Sequence, residues 1–267
     1  MMILLRSLVV MGMCFVNRKT LINIICSILI MILSFLFTAD VLFATEKTLK
    51  DAEAYFKEGI AYSDQGDYHR AITEYDKSVK LNPKSAVAYF NRGNAYDKLG
   101  NYSQAIKDYN KAIEINQKSV MAHSNRGSVY QKLGNYGQAI KDYNKAIEIN
   151  PNFEDAYCNR GSTYLSLGKD IQAIQDFDKA IKINPQLADA YYNRGSVYGS
   201  LGNDIQALID LNRAIELDPK LASAYYKRGI ISAGHGFHIE AIEDYKIAAR
   251  LGHKTAQDYL RKRGIVW

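Results

Sequence analysis

The chain has 267 residues, of which 48% are hydrophobic and 23% are charged. This composition is typical of a folded globular protein and excludes a disordered, a collagenous or a multi-span membrane chain. The net charge of +6 comes from 34 basic and 28 acidic residues, which are interleaved along the chain, so the sequence does not predict nucleic-acid binding. Three cysteines are too few for a disulfide framework.

The first predicted element is an export leader over residues 1–44. No charged residue occurs from Thr20 to Ala39, the segment Leu21–Phe37 is almost wholly apolar, and Arg18 and Lys19 directly precede it. Basic residues before an apolar run stay on the cytoplasmic side of a membrane. We therefore expect the rest of the chain to cross the cytoplasmic or endoplasmic reticulum membrane and to be periplasmic, secreted or membrane-anchored.

Two points about this leader stay open at the level of sequence. Cleavage after Ala44 would leave a small residue at the last leader position, whereas an uncleaved Leu21–Phe37 would form a membrane tether, because about 20 apolar residues span a bilayer. The other open point is the start site, since Met11 or Met13 would give a more usual short basic leader.

After a linker at 45–51, a unit of 34 residues is repeated six times. A shift of 34 superimposes twelve of the eighteen glycines and brings all four prolines into one phase, which is the signature of a repeat protein. The predicted units are 52–85, 86–119, 120–153, 154–187, 188–221 and 222–255, numbered 1 to 6 below, and a tail follows at 256–267.

Each unit has the apolar periodicity of two amphipathic helices. In unit 2 the spacings of 3 and 4 place one set of apolar residues on each helix, namely Tyr89, Tyr96 and Leu99, then Tyr102, Ala105, Ile106, Tyr109 and Ile113. Gly100 lies between the two sets, where a helix commonly ends in a left-handed residue. Gly93 lies inside the first helix at a cost of about 1 kcal/mol, which predicts close approach of a neighbouring helix backbone, with Ala105 as the matching small residue.

The recurring residues resemble the tetratricopeptide repeat family. Counted from the start of a unit, they are Gly at position 8, Tyr at 11, Ala at 20, an aromatic residue at 24, Ala at 27 and Pro at 32. The departures are Ser78, Gln117, Leu211, Ser232 and His253. The resemblance covers residues 52–255 and implies an all-α, right-handed superhelix of six helix hairpins, in which the first helices line a concave peptide-binding groove. The tail is predicted to be a capping helix, because the ends of such stacks need a solvated face.

One charge pattern accompanies the repeat. Position 7 is arginine in the five units whose position 23 is aspartate, and in unit 1 both positions are glutamate. The pairs are Arg92 and Asp108, Arg126 and Asp142, Arg160 and Asp176, Arg194 and Asp210, and Arg228 and Asp244. We interpret them as ion pairs, within a unit or between neighbouring units, that fix the hairpin geometry.

The predicted binding site lies at positions 5 and 6 of the first helices, which face the groove in the family's geometry. Position 6 forms an asparagine ladder flanked by lysines, and position 5 adds aromatic residues at both ends. The site consists of Asn91, Asn125, Asn159, Asn193, Lys57, Lys227, Phe56, Phe90, Tyr192 and Tyr226. Asparagine amides can pair with a peptide backbone. The family's clamp for a C-terminal carboxylate is absent, so the expected ligand is an internal, uncharged or mildly acidic segment.

No catalytic, metal or cofactor motif is found in the chain. The five histidines lack the spacing of a metal site, Cys158 stands alone in the repeats, and no phosphate loop or nucleophile motif occurs. The predicted function is therefore that of a non-catalytic extracytoplasmic adaptor, whose partner is a protein or peptide and which needs no cofactor. The alternative is a membrane-tethered spacer or a self-assembling scaffold, in which the stack contacts copies of itself.

Overall fold

The computed structural model describes the backbone of residues 18–267 and the side chains of Asn23, 25–35 and 45–267. The alternative start sites Met11 and Met13, and the side chains around the predicted cleavage site at Ala44, lie outside the described residues. The predicted leader is thus described only in part.

The described residues form helices and no strand. In chain order the helices are α1 (Arg18–Asp64), α2 (Tyr68–Leu81), α3 (Ala86–Lys98), α4 (Tyr102–Ile115), α5 (Val120–Lys132), α6 (Tyr136–Ile149), α7 (Glu154–Ser166), α8 (Asp170–Ile183), α9 (Ala188–Ser200), α10 (Asp204–Leu217), α11 (Ala222–Gly234), α12 (His238–Arg250) and α13 (Lys254–Lys262).

The helices pack as a solenoid of six hairpins. The two helices of each unit contact each other, and each second helix also contacts the first helix of the next unit. First helices of neighbouring units touch as well, for example α3 with α5 and α5 with α7, so the first helices lie on the inner side of the curve. The right-handed superhelix predicted from the sequence is confirmed.

Helix α1 differs from the prediction at its start. The segment 45–51, predicted as a linker, is helical and continuous with the first helix of unit 1, which therefore has no break before Ala52. Large apolar side chains between Ile25 and Phe35 are exposed on this helix. Among the described residues, no helix combines the length and the apolarity that crossing a membrane requires.

The core is built mainly from alanines and from the large side chain at position 24, which is aromatic in every unit except unit 5. Tyr109 is fully buried, and a Cβ added to Gly93 would lie 2.9 Å from its ring. The glycine inside the first helix is thus required by an aromatic side chain of the same unit. At the equivalent Gly195 and Gly229 an added Cβ would also lie 3.2 and 3.1 Å from the backbone oxygens of Ala207 and Ala241, which agrees with the predicted close approach. The glycines after the first helices have φ between 68° and 81°, which confirms the predicted left-handed caps.

The C-terminal tail closes the stack. In α13, Ala256 and Leu260 are buried against Tyr245, Ala248 and Ala249 of α12. The helix begins two residues earlier than predicted. The chain continues past it, so that the nonhelical Ile265 and Trp267 also pack on this cluster. The predicted cap is therefore confirmed, with an extra contact from the last residues.

Candidate functional site

The first helices carry the candidate site, and the arginine at position 7 fixes their orientation. In unit 4, Arg160 donates to both oxygens of Asp176, with Nε–Oδ2 and Nη2–Oδ1 distances of 2.8 and 2.6 Å. The Asp176 side chain is 7% exposed and the Arg160 side chain 18%. Although burial opposes ionisation, the hydrogen bonds that Arg160 donates to Asp176 raise the pKa of Arg160 above its ordinary value. The predicted ion pair is confirmed, and its geometry is the bidentate one that only arginine provides.

The same arginine also reaches the preceding unit. Its free Nη1 donates to the residue at position 25 of that unit's second helix, over 2.5 to 2.7 Å. The acceptors are Asp76, Asn110, Asn144, Asp178 and Asn212 for the arginines of units 2 to 6, respectively. Each arginine thus joins its own hairpin to its neighbour. This acceptor could have been predicted from the sequence, because position 25 is Asp or Asn in each of units 1 to 5.

Unit 3 adds a residue to this arrangement, and unit 1 departs from it. In unit 3 the buried His123 replaces the tyrosine at position 4, and its Nδ1 lies 3.5 Å from Oδ1 of Asp142. Although burial favours the neutral acid, the hydrogen bonds from Arg126 and the nearby His123 lower the pKa of Asp142. In unit 1, where the arginine is missing, Lys77 Nζ lies 2.8 Å from Oε1 of Glu74. The buried carboxylate at position 23 is therefore paired in these units too.

The four asparagines of the ladder are not equivalent. The Asn91 amide donates to the carbonyl of Val87 in its own helix (2.9 Å). The Asn125 amide donates to Oδ1 of Asn94 in the preceding first helix (2.9 Å), and the Tyr109 hydroxyl donates to the same oxygen (2.7 Å). Half of the ladder is therefore occupied by contacts within the protein.

The other two asparagines are available to a ligand. Within the described part of the chain, the side chains of Asn159 and Asn193 form no hydrogen bond, and both are half-buried. They occupy equivalent positions on α7 and α9. Two amides with free donors and acceptors thus lie on neighbouring first helices, as the ladder hypothesis requires for a backbone ligand.

A carboxylate accompanies each of these amides. Asp155 and Asp189, at position 2, lie one helical turn before Asn159 and Asn193, on the same helix face. Both are exposed, and neither forms an ion pair within the described residues. Partial burial, and then the nearby Glu154, raise the pKa of Asp155. The sequence interpretation missed these acids, although position 2 is acidic in both units.

The predicted aromatic residues at position 5 pack partly on the core. Phe56 and Phe90 lie 5.9 and 6.0 Å, centroid to centroid, from the rings of Tyr75 and Tyr109. Tyr226 is stacked on His253 at 4.3 Å. Tyr192 packs on the cluster around Leu211. All four are half-buried, so part of each ring supports the hairpin.

The two lysines of the predicted site differ in their pairing. Lys57 is exposed and forms a 2.7 Å ion pair with Glu53, four residues earlier, beside an open cavity of about 560 Å³ that Phe56 also lines. Lys227 is half-buried and has no ion pair within the described residues. It lines a smaller cavity of about 100 Å³ between α9 and α11. The lysines thus mark cavities at the two ends of the first-helix surface.

Cys158 lies at position 5 of unit 4, beside Asn159. Burial, and then the charges of the surrounding acids, Asp155 and Asp189 foremost, raise the pKa of the Cys158 thiol to about 12. A thiol with that pKa is protonated at neutral pH and is a poor nucleophile. No group of three or more His, Cys, Asp or Glu side chains in the described region is placed to hold a metal ion.

Models of one repeat family match most of the repeated region. The model described as "Tetratricopeptide repeat" matches residues 86–119, 120–153 and 188–221, and a second model of the same description matches 142–175. A model described as "TPR repeat" matches 59–100 and 161–202. No curated protein is significantly similar in sequence.

Solved structures give the same fold. A structure of MamA is 28% identical over 65% of this chain and 94% of that chain, with a TM-score of 0.57. YrrB, described as a TPR protein with an unusual peptide-binding site, is 23% identical over 70% of this chain and 97% of that one, with a TM-score of 0.55. PilF from Pseudomonas aeruginosa is 16% identical over 82% and 99% of the two chains, with a TM-score of 0.70.

Proposed function

Because the chain belongs to the tetratricopeptide repeat family, we propose that it is a non-catalytic, extracytoplasmic scaffold that binds an extended segment of a partner protein. The segment lies across the first helices of units 4 to 6. The observation that carries this proposal is the pair of free amides, Asn159 and Asn193, at equivalent positions on adjacent helices. Polar groups of this kind, half-buried and without an internal partner, form hydrogen bonds with a ligand at little cost in desolvation.

The unpaired carboxylates refine the ligand class. Asp155 and Asp189 give the surface of units 4 and 5 a negative charge next to the amides. A segment with basic side chains in that part of its length complements this charge and associates faster at low salt. This ligand differs from the uncharged or mildly acidic segment that the asparagine ladder alone suggests.

The test compares two kinds of asparagine. A partner is first identified by crosslinking in the cells of origin, and its binding is then measured by calorimetry. Changing Asn159 and Asn193 together to Ala is expected to weaken binding by about 1 to 3 kcal/mol, which corresponds to two net hydrogen bonds. The matched control is Asn91→Ala, since the Asn91 amide is engaged in its own helix. Full affinity in the double variant would exclude this surface as the site.

Export is the second part of the proposal. It is supported by the basic pair Arg18 and Lys19 before an apolar run, and by the exposed apolar side chains between Ile25 and Phe35. A phosphatase that folds only outside the cytoplasm, fused after Ala44, is expected to be active. Activity of a reporter that works only in the cytoplasm at the same junction would contradict export. N-terminal sequencing then separates a cleaved leader from an anchor that retains Leu21–Phe37.

One observation favours the alternative of a self-assembling scaffold. Ile171, Ile205 and Ile239 occupy the same position in the second helices of units 4 to 6 and are 73%, 74% and 79% exposed. Units 1 to 3 have His69, Ser103 and Gly137 there. A row of exposed isoleucines can associate with the same row of a second copy. Light scattering tests this: a concentration-dependent mass that the triple change to Ser removes supports assembly, and a constant monomeric mass excludes it.

A further inference from the structure

The cavity between α9 and α11 results from two departures in unit 5. It has a volume of about 100 Å³ and is lined by Ser196, Gly199, Leu211, Lys227, Ile230 and Ile231 among others. Position 24 is Leu211 in this unit, where four of the other five units have tyrosine. Position 12 is Gly199, where units 2 and 3 have Asp97 and Gln131. Leu211 leaves out the hydroxyl end of the tyrosine ring, and beside Gly199 the side chain of Ile231 fills part of the space, since its Cδ1 would lie 3.3 Å from a Cβ added to Gly199.

The other units show what normally fills this volume. In unit 3 the hydroxyl of Tyr143 lies within hydrogen-bond distance of Ser128 Oγ (3.3 Å) and Gln131 Oε1 (3.0 Å), which are positions 9 and 12. In unit 2 the hydroxyl of Tyr109 donates to Asn94, again at position 9. The phenol end of the core tyrosine therefore lies between positions 9 and 12. In unit 5 those positions are Ser196 and Gly199, and both line the cavity.

One polar atom is left without a partner. Ser196 Oγ is buried and forms no hydrogen bond, because Leu211 has no hydroxyl to take the place that Tyr143 has beside Ser128. A buried hydroxyl without a partner is unfavourable, because it has lost its hydrogen bonds to water and gained none in the protein. A ligand that supplies a hydrogen-bond donor or acceptor to Ser196 Oγ removes this unfavourable contribution.

We propose that this cavity is a specificity pocket for a tyrosine side chain of the bound partner segment. The ring contacts Leu211, Ile230 and Ile231, and the phenol hydroxyl pairs with Ser196 Oγ. The cavity is smaller than an engineered apolar cavity of about 150 Å³ that encloses benzene in another protein, so it takes the hydroxyl end of the ring and leaves the rest of the side chain outside. Lys227 and the partly exposed Ile230, both on the first helix α11, line the pocket. The inference rests on the proposed function, because the pocket continues the surface that begins at Asn159 and Asn193.

The pocket can be tested without knowing the partner. The probes are p-cresol, which is the side chain of tyrosine, and toluene, which is the side chain of phenylalanine. In methyl-labelled protein, p-cresol is expected to shift the methyl signals of Leu211, Ile230 and Ile231 in a saturable way. It is expected to bind roughly fivefold more tightly than toluene, the equivalent of one net hydrogen bond. Absence of saturable shifts at these methyls, or equal binding of the two probes, would overturn the proposal.

Three variants sharpen the result. Leu211→Tyr fills the cavity with the side chain that other units carry and is expected to abolish p-cresol binding while the protein stays folded. Ser196→Ala keeps the volume and is expected to remove only the preference for p-cresol. The matched control is Phe177→Tyr, the same position in unit 4, which is expected to bind p-cresol like the wild type. Unchanged p-cresol binding in Leu211→Tyr would refute the pocket.

The outcome is separable from that of the proposed function. If the captured partner loses affinity when Asn159 and Asn193 are changed but binds normally to Leu211→Tyr, the pocket is wrong and the scaffold function stands. If p-cresol binds as expected while the asparagine variant keeps full partner affinity, the pocket stands and the proposed peptide surface is wrong.

Discussion

Replacing Arg160 by Met is expected to be among the most destabilising single changes in the repeats. Methionine keeps an unbranched stem and a good helix propensity, so the change removes the guanidinium with little effect on the helix. It breaks two hydrogen bonds to Asp176, a residue that is 5% exposed. A buried carboxylate that loses its partner costs about 3 to 5 kcal/mol, whereas an exposed pair contributes under about 1 kcal/mol.

The third hydrogen bond of Arg160 provides a reference against which the stability loss of Arg160→Met is compared. Asn144→Ala removes only the bond from Arg160 Nη1 to the preceding unit, so it is expected to cost about 0.5 to 1.5 kcal/mol. The double change of Arg160 to Met and Asp176 to Leu removes the charge together with its partner. It is expected to recover most of the loss seen in Arg160→Met, since apolar replacement of a whole buried pair is often close to neutral.

Urea unfolding of the four proteins measures these differences. Hydrogen exchange then localises them, with faster exchange expected in α7 and α8. A cost below about 1 kcal/mol for Arg160→Met would show that Asp176 is solvated after the change, and would refute the argument from burial. A double variant as unstable as the single one would show that packing, and not charge, causes the loss.

Three further results are expected. Burial raises the pKa of the Cys158 thiol to about 12. In a variant with Cys14 and Cys26 changed to Ser, Cys158 should therefore react with maleimide at pH 8 roughly a thousandfold more slowly in the folded protein than in urea. Equal rates would contradict the burial of this thiol. Although burial opposes this, hydrogen bonding to Arg126 lowers the pKa of Asp142. The Asp142 carboxylate therefore stabilises the folded protein above its ordinary pKa, and this stabilisation is lost as the pH falls through the lowered pKa. Asp142→Asn should therefore cost most at pH 7 and least at a pH below the lowered pKa, and a cost that does not vary with pH would oppose this. Leu260 is fully buried, so Leu260→Ala should lower the free energy of unfolding by about 2 to 5 kcal/mol and speed hydrogen exchange in α12. Unchanged protection of residues 239–249 would show that α13 is not a cap.

The sequence was sufficient for the fold because its signals are local and repeated. Helix bounds follow from the apolar spacing within a unit, and Gly100 and its equivalents end the first helices as their positions predict. The pairing of arginine with aspartate was readable because both residues are lost together in unit 1. The helical 45–51 segment was not predicted, since nothing in its polar composition separates a linker from the start of a long helix.

The site was less predictable because it depends on contacts between units. Asn91 and Asn159 occupy the same position and share the same neighbours Arg and Gly in sequence, yet the first bonds to its own helix and the second is free. The engagement of Asn125 depends on Asn94, 31 residues earlier. The cavity had a visible signal in Leu211, but its meaning required the position of the tyrosine hydroxyl in the other units.

The arginine network has a consequence for how such a chain can change length during evolution. The buried charge at position 23 and the arginine that neutralises it are encoded in the same stretch of 34 codons. Only the exposed third bond crosses to the neighbouring unit, and its acceptor is present as Asp or Asn in each of units 1 to 5. A recombination event that duplicates or deletes one whole internal unit therefore adds or removes a neutral pair and never leaves a buried carboxylate alone. Gain and loss of internal repeats therefore leave every buried arginine–aspartate pair complete, so the binding surface can lengthen by gene duplication without breaking one of these pairs.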